Sequence, residues 1–348
     1  MAQTGPQPPD PGSGASALDR ARACYAKHAW ADAYTAFALA DQAGCLAELE
    51  DLERLAWASA LIGRDEDMLA ALDRLHQGQL AVGAIASAAR SAFWSGFRLL
   101  ALGEHGRAGG WMSRTQRLVD QLGGECAEAG YLLLPASMRC AGSGDYASAY
   151  ETVSRALELG ERYGDGDLIA FARALQGRNL VRMGRLSEGL PLIDEAMLAA
   201  TSGAISPIMT GLIYCSSIAG CMQAFALDRA REWTLVLERW CEAQPQIVVF
   251  TASCMVHRAE LLQRNGAWTQ AADEARRAVD PLRCAVERSA VSEAHYQQAE
   301  IHRLRGEDAL AEEAYRQAHQ LGREPQPGSR CCDSLKVRRT RRCRLSAG

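Results

Sequence analysis

Several kinds of chemistry have no residues to support them in this chain. There is no G-x-x-x-x-G-K-[ST] segment, so no Walker loop cradles a phosphate. There is no H-E-x-x-H and no paired C-x-x-C, and "GSGD" at 142–145 is a turn with no strand before it. "CMVH" at 254–257 sets a Cys and a His three apart, but two ligands are too few for a structural metal site. No nucleophile–His–acid set can be assembled. The sequence therefore predicts no enzyme, no cofactor and no metal.

Other absences concern where the chain works. The N-terminal "MAQTGPQPPDPGSG" has no apolar core and is not a signal peptide. We expect residues 1–14 to be a flexible lead-in. The 12 cysteines are scattered, mostly within apolar helical pattern, where a free thiol acts as a small hydrophobe. This usage fits a reducing, cytoplasmic compartment. Ala196 to Leu227 has no Asp, Glu, Lys, Arg or His. A membrane span needs about 20 predominantly apolar residues. This window is interrupted by Ser206, Thr210, Ser216, Ser217 and Gln223, and it reads as the end of one helix, a "TSGAISP" linker and the next helix. Strand signals are nearly absent; "QIVVFTA" at 246–252 is the one β-branched run.

What is present is a period. "HAWADAYTAFALA" (28–40), "GEHGRAGGWMSRT" (103–115), "GDYASAYETVSRA" (144–156), "GRLSEGLPLIDEA" (184–196), "GAWTQAADEARRA" (266–278) and "GEDALAEEAYRQA" (306–318) align, with weaker copies at 63 and 225. The starts are separated by 35, 40, 41, 40, 41, 41 and 40 residues. Such regularity marks a repeat architecture. Each start follows a helical stretch, so the unit is a helical hairpin. The Gly ends helix A in a left-handed turn. Ala149, Ala271 and Ala311 leave room where helix B crosses helix A, with Val153, Ile193 and Tyr315 filling the adjoining space. Gly96 and Gly177 are expected to admit neighbouring helices on the other side. No hairpin buries its apolar face alone, so stacking is obligatory.

This Gly and Ala spacing resembles the tetratricopeptide repeat, with longer linkers than its familiar 34-residue unit. The resemblance implies an all-α, right-handed α-solenoid of about eight hairpins over residues 15–322, followed by an irregular basic tail, 323–348. "REWTLVLERWCEAQP", "VHRAELLQRNGAW", "YQQAEIHRLRGE" and "GREPQPG" are similar to the MalT-like repeat region of LuxR-type transcriptional regulators. The resemblance implies a sensor or partner-binding scaffold. The "LTxREXEVLxL…GxTNxEIA" pattern of a LuxR-type DNA-binding domain is nowhere in the chain, which argues against direct DNA binding.

From Ser329 to Gly348 there are seven Lys or Arg against one Asp. Codons for Ser329–Lys336 exist that, shifted by one base, read Leu-Ala-Leu-Leu-Arg-Leu-Ala-Gln, the helical continuation expected of such regulators. One expectation is therefore an out-of-frame tail on a truncated regulator. The rival is a basic segment touching nucleic acid or an acidic partner through Arg338, Arg339, Arg341 and Arg342.

Helix-A residues not packed between helices are candidates for gripping a protein or peptide partner. The period places Arg178, Arg182, Glu260, Gln263, Arg264, Gln297, Glu300 and Arg303 there, where charge-assisted hydrogen bonds are available. Gly211, Cys215, Ala219 and Met222 give one thin face, a candidate groove for a small effector. Trp57, Trp94, Trp111, Trp233 and Trp268 read as core or inter-repeat filler.

Overall fold

Thirteen glycines and two other residues, His28 and Phe225, adopt positive φ in the computed structural model, which describes residues 11–244, 246–279, 288–326 and 328–329. Eight of these residues are the eight period starts: His28, Gly63, Gly103, Gly144, Gly184, Phe225, Gly266 and Gly306. Each closes a helix A. The amide after each donates to a carbonyl five residues back, as in Arg64 N to Ser59 O (2.8 Å), Arg185 N to Leu180 O (2.9 Å) and Ala226 N to Cys221 O (3.0 Å). This is the Schellman closure of a helix C-terminus, which a left-handed residue makes possible.

The described helices are α1 (Pro11–Ala26), α2 (Trp30–Gln42), α3 (Leu49–Leu61), α4 (Asp65–Ala81), α5 (Ile85–Ala101), α6 (His105–Gln121), α7 (Ala127–Gly142) and α8 (Tyr146–Tyr163). They continue with α9 (Gly166–Arg182), α10 (Leu186–Thr201), α11 (Pro207–Gln223), α12 (Leu227–Glu242), α13 (Thr251–Arg264), α14 (Trp268–Arg277), α15 (Arg288–Arg305) and α16 (Asp308–Gln320). Seven of the expected hairpins pair in this way, α1 with α2, α3 with α4, α5 with α6, α7 with α8, α9 with α10, α13 with α14 and α15 with α16, and every even-numbered helix begins two residues after its period start. α1 opens at Pro11, inside the stretch expected as lead-in. No strand occurs among the described residues. "QIVVFTA" is a linker running into α13.

Packing follows the repeat. Five residues after six of the eight starts, Ala33, Ala108, Ala149, Ala230, Ala271 and Ala311 are fully buried. Val153, Ile193 and Tyr315 fill the core beside them. A correction concerns Gly96 and Gly177. They do not admit the next hairpin; they face the partner helix of their own. A Cβ on Gly96 would meet Met112 at 3.1 Å, and one on Gly177 would come within 2.7 Å of the Gly189 carbonyl oxygen. α9 and α10 thus cross with their backbones nearly touching, which only paired glycines permit.

The uncharged window resolves into the end of α10, a linker and α11, with Pro207 at the first helical position, where its missing N–H costs nothing. No helix among the described residues is long and apolar enough to cross a membrane. The close-approach glycine of α11 is Gly220, whose added Cβ would lie 2.7 Å from Ile193.

The chain divides into two compact units, residues 1–229 with 239–247, and residues 230–238 with 248–348. Each is an all-α stack of hairpins. In the first unit the stack curls until Gln244 and Gln246 bond to the start of α2. In the second, Arg323 pairs with Glu293 at 2.7 Å and lies over the Tyr296 ring at 4.3 Å, tying the chain after α16 to α15.

Candidate functional site

The turns supply a ruler for the inner face. Six residues before successive starts stand Trp57, Phe97, Met138, Arg178, Ala219, Glu260 and Glu300. Trp57 lines an interior cavity of the first unit, so this position faces inward there.

The structure separates the eight predicted partner-binding residues into two kinds. Six lie in the second unit and are engaged with each other or with neighbours. Arg264 pairs with Glu260 at 2.7 Å. Gln297 donates to Gln263 across α13 and α15. Arg303 pairs with Glu300 at 2.6 Å, and the Tyr315 hydroxyl donates to the same carboxylate. Burial pushes the Tyr315 phenol up, and the Glu300 bond adds to it.

Arg178 and Arg182, on α9 of the first unit, form no ion pair among the described residues. Arg178 is half-buried, its stem within 4 Å of the position a Gly220 Cβ would take. Burial, and then the Arg182 charge, lower its pKa. Arg182 sits over the Tyr146 ring at 5.7 Å. Two like charges without a carboxylate are an arrangement that an incoming anion would relieve.

The proposed effector face is differently built from expectation. Gly211 and Met222 are buried, and Cys215 and Ala219 are half-buried. The cavity beside α11 is lined by its first turn, Ser206 to Ile208, and by none of those four.

That cavity is the feature sequence reasoning missed. It measures about 140 Å³ and is walled by Glu53, Trp57, Arg90, Trp94, Tyr131 and Asp167, with Leu61 and the start of α11. A second cavity of about 240 Å³ adjoins it across Glu53, Trp57, Arg90 and Trp94. The indoles of Trp57 and Trp94 stand 5.2 Å apart at 83°, and Tyr131 lies 6.4 Å from Trp94. Trp94 is buried in the core, as expected of filler, and with Trp57 it also forms a wall of this cavity.

A polar network fixes this wall. Arg90 of α5 pairs with Glu128 of α7 and with Asp165, the N-cap of α9, at 2.7 Å each. Its guanidinium lies 4.8 Å above the Tyr131 ring. The Tyr131 hydroxyl donates to Asp165 at 3.0 Å, and Asp165 also caps the Leu168 amide. Burial works to lower the Arg90 pKa, but Tyr131, Asp165 and Glu128 outweigh it and hold the guanidinium charged. Burial pushes the Tyr131 phenol far up. One signal was available: Arg90 and Tyr131 are 41 residues apart, one full period, and so share a face on successive A helices.

Among the described residues no group of three or more His, Cys, Asp or Glu side chains could hold a metal ion. Cys24, Cys45, Cys126, Cys140 and Cys221 are free thiols. Residues 330–348, including Arg338, Arg339, Arg341 and Arg342, lie outside the described residues.

No family model and no curated protein matches this sequence. Matching solved structures include a STAND signal-transduction ATPase with a tetratricopeptide repeat sensor from Pyrococcus horikoshii, at 13% identity and TM-score 0.44, covering 83% of this chain and 44% of that one. The human IFIT1 dimer with m7Gppp-AAAA matches at 13% identity and TM-score 0.45, covering 88% and 72%. The TPR domain of P58(IPK) matches at 14% identity and TM-score 0.27, covering 93% and 98%. The chain spans less than half the length of the first of these. It is similar to these proteins in fold, as an all-α stack of helical hairpins.

Proposed function

We propose that the protein is a non-enzymatic, cytoplasmic partner-binding scaffold, the sensor region of a LuxR-type transcriptional regulator, and that it grips an acidic segment of its partner through Arg178 and Arg182. The observation that carries this reading is the missing counter-charge. Six of the eight candidates are engaged within the fold, and of the four arginines among them only the α9 pair has no carboxylate partner among the described residues. A partner Asp or Glu would form charge-assisted bonds there, which are roughly twice as strong as neutral ones. The regulator identity rests on the sequence stretches around 231–328 and on the reading of the tail as out of frame.

The test is fluorescence anisotropy with a labelled Glu- and Asp-rich peptide on the full chain. Binding should weaken about tenfold or more in Arg178→Ala/Arg182→Ala, the loss of one charged hydrogen-bond pair. It should also weaken with salt. Arg264→Ala should leave it unchanged. Equal binding by the double variant would sink the reading. For the regulator identity, the DNA following the codon for Arg323 is read in all three frames. A helix-turn-helix pattern in an alternative frame is expected, and an early stop there removes the claim.

A further inference from the structure

We propose that the interior cavity of the first unit binds a small organic ammonium ion. The cavity combines an aromatic corner with negative charge that the fold leaves unanswered. Trp57 and Trp94 meet nearly at right angles, and Tyr131 closes a third side. Aromatic walls of this kind attract cations through the ring quadrupole, most strongly where water is excluded.

The charge balance points the same way. Around the cavity stand four carboxylates, Glu53, Glu128, Asp165 and Asp167, against one guanidinium, Arg90. Arg90 is committed to Glu128 and Asp165. Among the described residues Asp167 accepts only the Ser206 amide, through Oδ1 at 2.9 Å. Among them Glu53 accepts only a long contact from the Trp57 indole, 3.4 Å. Glu53 and Asp167 therefore line the same cavity as Arg90, and among the described residues neither forms an ion pair with it or with another cation.

Each alternative occupant meets an obstacle. An anion would face the surplus carboxylates. A bare metal ion would find no cluster of three ligating side chains among the described residues. A peptide would need far more than about 140 Å³. Even with the adjoining cavity of about 240 Å³ the space reaches only the lower end of the ~300–1,000 Å³ of sites for drug-sized ligands, so the occupant is small. The site shares no residue with the Arg178–Arg182 pair, and the two proposals stand or fall separately.

The experiment is calorimetric titration of the full chain with choline, paired with tryptophan fluorescence and with 3,3-dimethylbutan-1-ol as the uncharged isostere. Choline should bind saturably and change the emission, and the isostere should not. Glu53→Gln, an exposed position whose circular dichroism should match the wild type, should weaken choline binding several-fold. Glu53→Gln/Asp167→Asn should weaken it further, about fivefold or more. Equal binding of the isostere would show an apolar hole and overturn the proposal. So would the absence of saturable binding by choline, tetramethylammonium and agmatine alike.

Discussion

The indole Nε1 of Trp30 donates to the Oε1 of Gln244 at 3.0 Å, joining residues 214 apart in the chain. Both groups are buried. Two residues on, the Gln246 Oε1 accepts from Ala31 N at 2.8 Å, and its Nε2 donates to Asp32 at 2.9 Å. The side chain of Ala29, the N-cap of α2, offers no hydrogen-bond acceptor. Gln246 therefore caps α2 from the far end of the first unit.

This clamp should contribute measurably to the first unit. Gln244→Leu strands a buried indole N–H, and leaving such a donor unsatisfied costs about 1–3 kcal/mol. Gln246→Ala removes a helix cap, worth about 0.5–2 kcal/mol. Urea unfolding should show both losses, and hydrogen exchange should show faster opening at the α2 amides of Ala31 and Asp32. Wild-type exchange in both variants would mean the clamp is not held in solution.

Phe225 sits at a turn position where six equivalent turns carry Gly, with φ of 55°. Its side chain is 75% exposed. Left-handed backbone costs a residue with a Cβ about 1–2 kcal/mol. Gly in the unfolded chain offsets about 0.4–1 kcal/mol of any relief. Phe225→Gly should therefore stabilise the protein by about 0.5–1 kcal/mol in urea titration, by the difference of those terms. His28, at φ 57°, stacks on Trp30 at 5.0 Å and 12°, so His28→Gly should gain less or nothing.

Gly177 and Gly189 hold α9 against α10. Gly177→Ala drives a methyl to 2.7 Å from a backbone carbonyl oxygen that cannot swing aside. Forcing such overpacking typically costs about 1–3 kcal/mol. Gly106→Ala, where a Cβ meets nothing within 4 Å, is the matched control and should be neutral or slightly stabilising. Similar midpoints for the two variants in thermal unfolding would refute the close crossing.

Acidification should act through His76. Burial lowers its pKa, and the nearby Arg114 charge lowers it further; the Ala88 carbonyl bond and Asp73 oppose this incompletely. The ring lies against Trp111, and Nδ1 is 2.8 Å from the Ala88 oxygen. A depressed folded-state pKa means the unfolded chain binds the proton first. The stability His76 contributes is then complete above the unfolded value, about 6.5, and is lost as pH falls through the folded one. His76→Asn keeps a donor for Ala88 but does not titrate. Its urea midpoint should fall less than that of the wild type between about pH 7 and pH 5. Parallel curves would exclude His76 as the sensitive group.

The hairpins were legible because their signals are local. A left-handed Gly, an amide bonding five residues back and an Ala five residues on all act within one unit, so a 40- or 41-residue spacing reveals them. Phe225 and His28 mark the two starts where that chemistry is strained, and 225 was also among the weakest copies in the alignment. The direction in which Gly177 faces was not legible, since both faces of a helix-A residue border another helix. Pairing was legible only within a helix: Glu260 stands four residues before Arg264, whereas the tie of Gln297 to Gln263 and of Arg90 to Asp165 joins separate helices.

Sequence alone determined the all-α class and the eight turns that repeat along the chain, because helix ends are set by backbone conformation over a few residues. Tertiary structure decided which residues share the interior. Trp57, Arg90, Tyr131, Asp167 and Pro207 come from five different A helices, and their meeting depends on how small rotations between successive hairpins add up. That sum comes from the packing of every interface in the stack, and no single segment of the chain encodes it.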